Sequence, residues 1–253
     1  MDEIEKAFRQ TTRLVLGEEL SGLVEYGKWL ERHIEGRVVR KKSAVSDNWV
    51  HLPAVEFFDG MGSSVVTLEE SLLLGERKLA HGEVEALNVR NASKMLSKIS
   101  TSTPEIIFGK NIGSLECACY GPTQHCYKAS FCWFSDRVAY SYWPRTSENL
   151  FGCSNVVDCK YCINCYSSTK LVRCFEVSDS NGCADCYFSH NVENCENCMF
   201  CFNAKSLHYA IANKEVGKER YMQARKIVLE EIAKKLEKEK KLELDIYNIG
   251  KMG

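Results

Sequence analysis

The sequence predicts an α+β protein with three parts: an N-terminal α+β domain over residues 1–100, a short cysteine-rich β-solenoid over 101–212, and a C-terminal capping helix within a tail over 213–253. Three observations predict this. All 14 cysteines lie between Cys117 and Cys201. Within that window the residues repeat at a fixed spacing. Both flanks carry helical patterning and no cysteine at all.

The first boundary falls at the linker-like run Ser100–Pro104, where small polar residues end in proline. Ahead of it, Leu20, Leu23, Val24, Trp29, Leu30 and Ile34 follow helical spacing, which predicts an amphipathic helix over 18–34. Arg37–Lys42 and Val50–Phe58 read as extended segments. Asp59-Gly60 and Met61-Gly62 supply turn chemistry before Val65-Val66. Thr67 followed by Glu70 is a capping-box pair and predicts a short helix through Leu74, and Asn91–Ile99 predicts another.

In the second part every cysteine except Cys119 is separated from the others by a multiple of three. A longer period of 21 is superimposed: Cys132, Cys153, Cys174 and Cys195 are spaced by it, as are Cys162 and Cys183, and Cys165 and Cys186. Ser147, Ser168 and Ser189 keep the register, and so do Leu150, Leu171 and Val192, Tyr166 and Tyr187, and Asn164 and Asp185. A register carried by five residue types signals internal repetition. A unit this short, rich in Cys, Asn, Ser, Val and Tyr, suits one coil of a β-solenoid, so 21-residue coils are expected. Stacked coils place equivalent residues about 4.8 Å apart in columns.

The tail from Lys214 to Leu244 predicts a long helix with a narrow apolar stripe of Met222, Leu229, Ile232 and Leu236. Glu230/Lys234, Glu231/Lys235 and Glu237/Lys241 stand in the favourable i,i+4 order. Such a helix closes the end of the solenoid.

The thiols admit two readings. Cysteine is a small apolar side chain among the most often buried, and it can simply fill narrow coils. Positions i and i+3 on a straight strand point to opposite faces, so a Cys-x-x-Cys pair shares a side only across a corner. The other reading is a metal. Cys162 and Cys165, then Cys183 and Cys186 after 17 intervening residues, match the two-knuckle zinc pattern. Four thiolates around zinc sit roughly 3.8 Å apart. Cys195, Cys198 and Cys201 with Cys174 or His208 form a second candidate set, and Cys117, Cys119, His125 and Cys126 a third. Four-cysteine sites also accept iron–sulfur clusters. No thiol stands out as a nucleophile with a partnered base.

The rest of the sequence excludes more than it offers. Net charge is -1, which gives no global attraction to nucleic acid or anionic membrane. No segment approaches the roughly 18 apolar residues of a membrane span. The charged start MDEIEKAFRQ lacks a signal-peptide apolar core, so a cytoplasmic location is expected. The Lys/Glu-rich run KKLEKEKKLELD has a composition found in thermophile proteins. Phosphate loops, nucleophile elbows and HExxH do not occur, and His33, His51 and His81 are isolated. The basic cluster Arg37–Lys42 reads as a solvated strand edge or as an anion contact.

Residues Asn194–Asn203, Tyr209–Lys214 and Lys218–Tyr221 resemble a group of prokaryotic cysteine-rich repeat proteins in which Cys/Asn/Ser coils end in a Tyr-x-Ile-x-Asn-Lys motif and a short helix. The resemblance covers about residues 115–225 and implies the solenoid and its closing helix. It implies no activity, and the zinc-ribbon cysteine pairs at the N-terminus of that group are missing here.

The function expected from all this is a non-catalytic scaffold, or a protein-interaction or self-associating subunit, with zinc as a stabiliser. An iron–sulfur protein with a redox role and a zinc-knuckle nucleic-acid binder are the alternatives.

Overall fold

The computed structural model describes residues 1–251. It shows N-terminal helices with a small two-stranded sheet, then a β-solenoid, then a long C-terminal helix. The helices are α1 (Asp2–Leu16), α2 (Gly27–Leu30), α3 (Glu56–Asp59), α4 (Leu68–Leu74), α5 (His81–Glu85), α6 (Ala92–Leu96) and α7 (Lys218–Glu239). The small sheet is an antiparallel pair, β1 (Val38–Lys42) with β2 (Trp49–Pro53).

Each solenoid coil is a dozen residues long, shorter than the sequence period suggests. Leu150 pairs with Cys162, Phe175 with both Ile163 and Tyr187, and Cys186 with Cys198, all in parallel. Every one of these partners is a dozen positions away, and the segment 118–211 makes about eight coils. The expectation of 21-residue coils is therefore corrected, and the reason lies in the backbone. From Glu116 to Ala212, nearly every third residue adopts the left-handed conformation, as at Asn155 (φ 53°), Asp158 (φ 54°), Tyr161 (φ 55°) and Asn164 (φ 51°). Each turns a corner, and four corners close a coil. The residue after each corner points into the coil, so every lumen position carries a similar demand for a buried side chain no larger than leucine. Any multiple of three is then a permitted sequence period. Successive members of the series Cys132, Cys153, Cys174 and Cys195 stand one side short of two coils apart, and so occupy four different sides of the stack.

The left-handed conformation costs an ordinary residue about 1–2 kcal/mol. Two devices offset it here. Asn and Asp tolerate that conformation and take ten of the corners: Asn149, Asn155, Asp158, Asn164, Asp179, Asp185, Asn191, Asn194, Asn197 and Asn203. Aromatic corners stack along the axis instead, Phe188 on Phe200 at 5.7 Å and Phe131 on Trp143 at 5.8 Å. Corner N–H groups bond to the preceding coil, as Asn155 N–H does to the Tyr142 carbonyl at 2.9 Å.

Two cores result. One is the lumen, filled by cysteine, valine, leucine and alanine. The other lies outside it. Tyr127, Ala139, Phe151, Ile163, Phe175, Tyr187 and Met199 follow one another, one per coil, down a single outer face and make an apolar stripe. Helices α1, α2 and α7 cover that stripe with Phe8, Val15, Trp29, Leu30, Leu229, Ile232 and Leu236. Phe8 meets Phe151 edge-on at 5.1 Å. Each large side chain sealed there contributes roughly 1.5–3 kcal/mol.

Several local expectations are corrected. A single helix over 18–34 does not form. The chain makes α1, stops at Gly17 in the left-handed conformation, and resumes as a 3-10 turn over Leu23–Tyr26 leading into α2. Gly22, in the left-handed conformation at φ 81°, breaks the continuity. Of the residues that carry the helical spacing within 18–34, Leu20, Leu23, Trp29 and Leu30 pack with the apolar stripe, Ile34 packs with Tyr166, and Val24 is exposed. Val50–Phe58 is extended only to Pro53, since Glu56–Asp59 is α3. The capping box of α4 forms with both of its bonds. In α7, Leu229, Ile232 and Leu236 are buried, whereas Met222 is exposed and Glu230 reaches back to Lys226. The last coil is ended by an antiparallel pairing of Ala210 with Glu215, and α7 lies against the apolar stripe.

Candidate functional site

The lumen carries the chemistry of this fold. All of its residues come from the position after a corner, and their N–H groups point inward, away from the ladder. A buried N–H without an acceptor costs about 1–3 kcal/mol. The solenoid answers with the side chain one coil earlier. Cys153 N–H donates to Ser141 Oγ at 3.1 Å, and Cys165 N–H to Cys153 Sγ at 3.4 Å. The same bond joins Ser147 to Ser135, Leu171 to Cys159, Ser180 to Ser168, Val192 to Ser180 and Cys201 to Ser189. The accepting side chain donates in turn. Cys153 Sγ–H points at the Cys162 carbonyl at 3.5 Å and the Phe151 carbonyl at 3.7 Å. A lumen residue that serves its neighbours in this way must be small and both donor and acceptor, which describes serine and cysteine.

All the cysteines are free and buried. Burial drives the thiols of Cys153 and Cys162 well upward and lifts Cys195 to about 11. Within the lumen, Cys126 Sγ and Cys132 Sγ lie 3.8 Å apart.

The expected two-knuckle set is not assembled as a unit. Cys162 and Cys186 share one lumen column but stand two coils apart with Cys174 between them. Cys165 and Cys183 lie in different columns, one on each side of it. Cys195, Cys198 and Cys201 line three successive sides of one coil, while Cys174 is two coils away and His208 is on the outer surface, 3.9 Å from Glu196. The third set divides as well. Cys117 and Cys126 face the lumen. Cys119 is itself a corner (φ 53°), which is why it breaks the three-residue phase. Its thiol points outward to the Pro104 carbonyl at 3.2 Å and packs with Leu52 and Phe58. His125 is also a corner. Among the described residues, no group of three or more His, Cys, Asp or Glu is arranged to hold a metal ion.

Other predicted residues have plain local roles. In β1, Arg40 and Lys42 lie over the Trp49 ring at 4.3 and 4.2 Å. His190, in the solenoid strand Ala184–Glu193, stands outside the sets expected from the sequence, and its Nδ1 is 2.8 Å from Ser178 Oγ and 3.3 Å from Asp179. A concave space of about 610 Å³ is lined by Phe200, Phe202, Ala212, Asn213, Leu244, Ile249 and Gly250, none of them ionisable.

One polar cluster was not legible in the sequence. Glu176 is a fully buried corner residue. Its carboxylate accepts Asn164 Nδ2 at 2.8 Å and the Ile246 N–H at 3.0 Å, and burial pushes its pKa up to about 8. Next to it Asp245 binds Arg32 at 2.7 Å and His33 at 3.1 Å. Burial raises the Asp245 carboxyl, but His33 and Arg32 outweigh that and hold it below its usual value. Together these residues fasten the C-terminal segment to α2 and to the solenoid. Contacts between opposite ends of the chain, such as Arg32 with Asp245, leave no local signal.

No helix among the described residues is long and apolar enough to cross a membrane. Comparison of this chain with protein-family models, with curated proteins and with solved structures finds no match.

Proposed function

We propose that this protein is a non-catalytic scaffold subunit: a stiff solenoid rod that carries an interaction surface on its N-terminal region. The observation that carries this reading is the division of apolar surface. The solenoid stripe is sealed beneath α1, α2 and α7, whereas Phe57 (73% exposed), Leu72 (70%), Leu73 (73%) and Val89 (96%) stand in solvent between residues 57 and 89. These are the four most exposed large apolar side chains among the described residues, ahead of Phe134 (65%) and Ile227 (60%), and a set of this kind suits a partner. The rest of the rod supports the reading. Its outer columns include in-register charge pairs, such as Arg173 with Asp185 and Glu193 with Lys205. A chain with columns of this kind gains rigidity and solubility.

Sedimentation velocity over a rising concentration series tests it. Association of the wild type that is lost in Leu72→Asp/Leu73→Asp, with unchanged circular dichroism, is the expected result. A strict monomer at the highest concentration, together with identical crosslinking of wild type and variant in native extract, overturns it.

A further inference from the structure

Serine meets the lumen requirement as well as cysteine does, and three of the four lumen columns mix the two. The column of Ser141, Cys153, Cys165, Ser189 and Cys201 is one example, and that of Ser135, Ser147, Cys159, Cys183 and Cys195 is another. The remaining column differs. Cys162, Cys174, Cys186 and Cys198 follow one another on four consecutive coils with no serine among them. Sulfur occurs four times in a row where oxygen would satisfy the backbone equally well. These thiols are fully buried, and strand pairing sets them one coil apart in single file.

Their spacing selects a coordination geometry. Parallel strands stack at about 4.8 Å. A tetrahedral thiolate site needs four sulfurs roughly 3.8 Å apart around one centre, which a single straight column does not supply. A linear centre needs only two sulfurs. With metal–sulfur bonds of about 2.3 Å it spans about 4.6 Å, close to the stacking distance. Linear two-sulfur coordination is the preference of soft, closed-shell monovalent ions, and thiols are the ligands that such ions select.

We infer that Cys162, Cys174, Cys186 and Cys198 form a binding column for soft monovalent cations, copper(I) or silver(I), each ion held between thiols of adjacent coils. Binding is charge-balanced: each cation displaces one thiol proton, so three cations on four thiols give three thiolates and one thiol, the two middle sulfurs each bridge two ions, and the closed lumen stays neutral. No electron is transferred. Four stacked sulfurs enclose three spans. The stacked pairs Cys153/Cys165 and Cys183/Cys195 offer one further span each. This inference does not depend on the scaffold reading, because the column is sealed from the surface that reading uses.

The test uses the whole chain, reduced, anaerobic and free of small thiols, with silver(I) as a redox-inert probe. Incubation continues until the readings are constant, since ions reach the lumen only through local opening. Native mass spectrometry counts bound ions and circular dichroism follows the fold. Cys174→Ser/Cys186→Ser keeps every lumen acceptor but removes at least one sulfur from each of the three spans. The expected result is three fewer ions than the wild type, with the β-sheet signal intact in both. Cys117→Ser, which has Ala129 as its neighbour one coil on, serves as the control and binds as the wild type does. Equal binding by wild type and double variant overturns the inference, as does a folded wild type that takes up none. Uptake of about 14 ions with loss of the β-sheet signal also overturns it, because the ions are then titrating the thiols of an unfolded chain.

Discussion

The N–H of Cys165 donates to the thiol of Cys153, the residue one coil earlier, across 3.4 Å. That single bond states the rule of the lumen: each coil supplies the acceptor for the next. Cys153→Ser keeps an acceptor of smaller size and should change stability by no more than about 1 kcal/mol. Cys153→Ala leaves the Cys165 N–H orphaned beside a small void and should cost on the order of 2–3 kcal/mol. Urea unfolding of both variants decides, and an alanine variant as stable as the serine variant would remove the hydrogen-bond account of cysteine here.

Glu176 sets a pH dependence whose sign is fixed by its surroundings. Its folded pKa is raised from 4.5 to about 8, so the folded state keeps its proton after the unfolded chain has lost it. Stability from this group is therefore full below about pH 4.5, declines as pH rises, and levels off above about 8. Glu176→Gln still accepts the Ile246 N–H but cannot ionise. Denaturant midpoints at pH 5, 7 and 9 should fall for the wild type and stay flatter for the variant, which becomes the more stable of the two at pH 9.

Phe8 is fully buried between Tyr26 and Phe151, and it anchors α1 on the solenoid. Phe8→Ala should cost about 3–5 kcal/mol. Hydrogen exchange distinguishes where the loss is felt: α1 amides should lose protection first, while the ladder between Leu150 and Cys186 stays protected.

Gly152 occupies a corner at φ 69° where a Cβ would lie 2.8 Å from the Leu30 carbonyl oxygen and against Asn164. Gly152→Ala should destabilise by about 2 kcal/mol or more, since the obstacle is backbone rather than a flexible side chain. Gly182, at φ 64°, would meet only the Asn194 side chain at 2.8 Å, and Gly182→Ala should cost less. Thermal unfolding of the two variants side by side tests the ranking.

Thiol reagents should find almost nothing to react with in the native protein. All the cysteines are buried, and desolvation holds Cys119 and Cys195 at about 11. Modification with an aromatic disulfide should proceed at the rate of local opening, and all 14 should react within minutes in denaturant. Several thiols reacting natively at the rate of a free small thiol would contradict the closed lumen.

The solenoid was legible because a packing demand repeated on every coil leaves a phase in the sequence, and only Cys119 escaped it, being a corner. The coil length was not legible. With every third position equivalent, the longer register carried by Cys132, Cys153, Cys174 and Cys195 satisfies the lumen as well as the true coil does, and only strand pairing separates them. The helix α1 was missed because its buried stripe includes Ala7, Thr11 and Thr12, which dilute the apolar period. Gly17 as its cap was the signal that could have found it. Among the candidate ligands, Cys162, Cys174, Cys186 and Cys198 proved to be neighbours, and Cys165 and Cys183 did not share their column. Knuckle spacing assumes that two pairs fold back on each other, whereas a coil deals successive pairs onto successive sides. The Arg32, His33, Glu176 and Asp245 cluster joins segments too distant for any local pattern to announce.

A coil of four three-residue sides makes the length of this protein discrete. Inserting or deleting a dozen residues adds or removes one storey and leaves every column in place. A change of three residues instead rotates all that follows by one side, so that Phe175, Tyr187 and Met199 leave the shelter of α1 and α7 and a mixed row, Val172, Ala184 and Glu196 or Ser178, His190 and Phe202, takes their place. A change of one or two residues turns lumen positions into corners. Among length variants of this chain, those that fold should differ by whole dozens, and the gaps between them record which wall the helices hold.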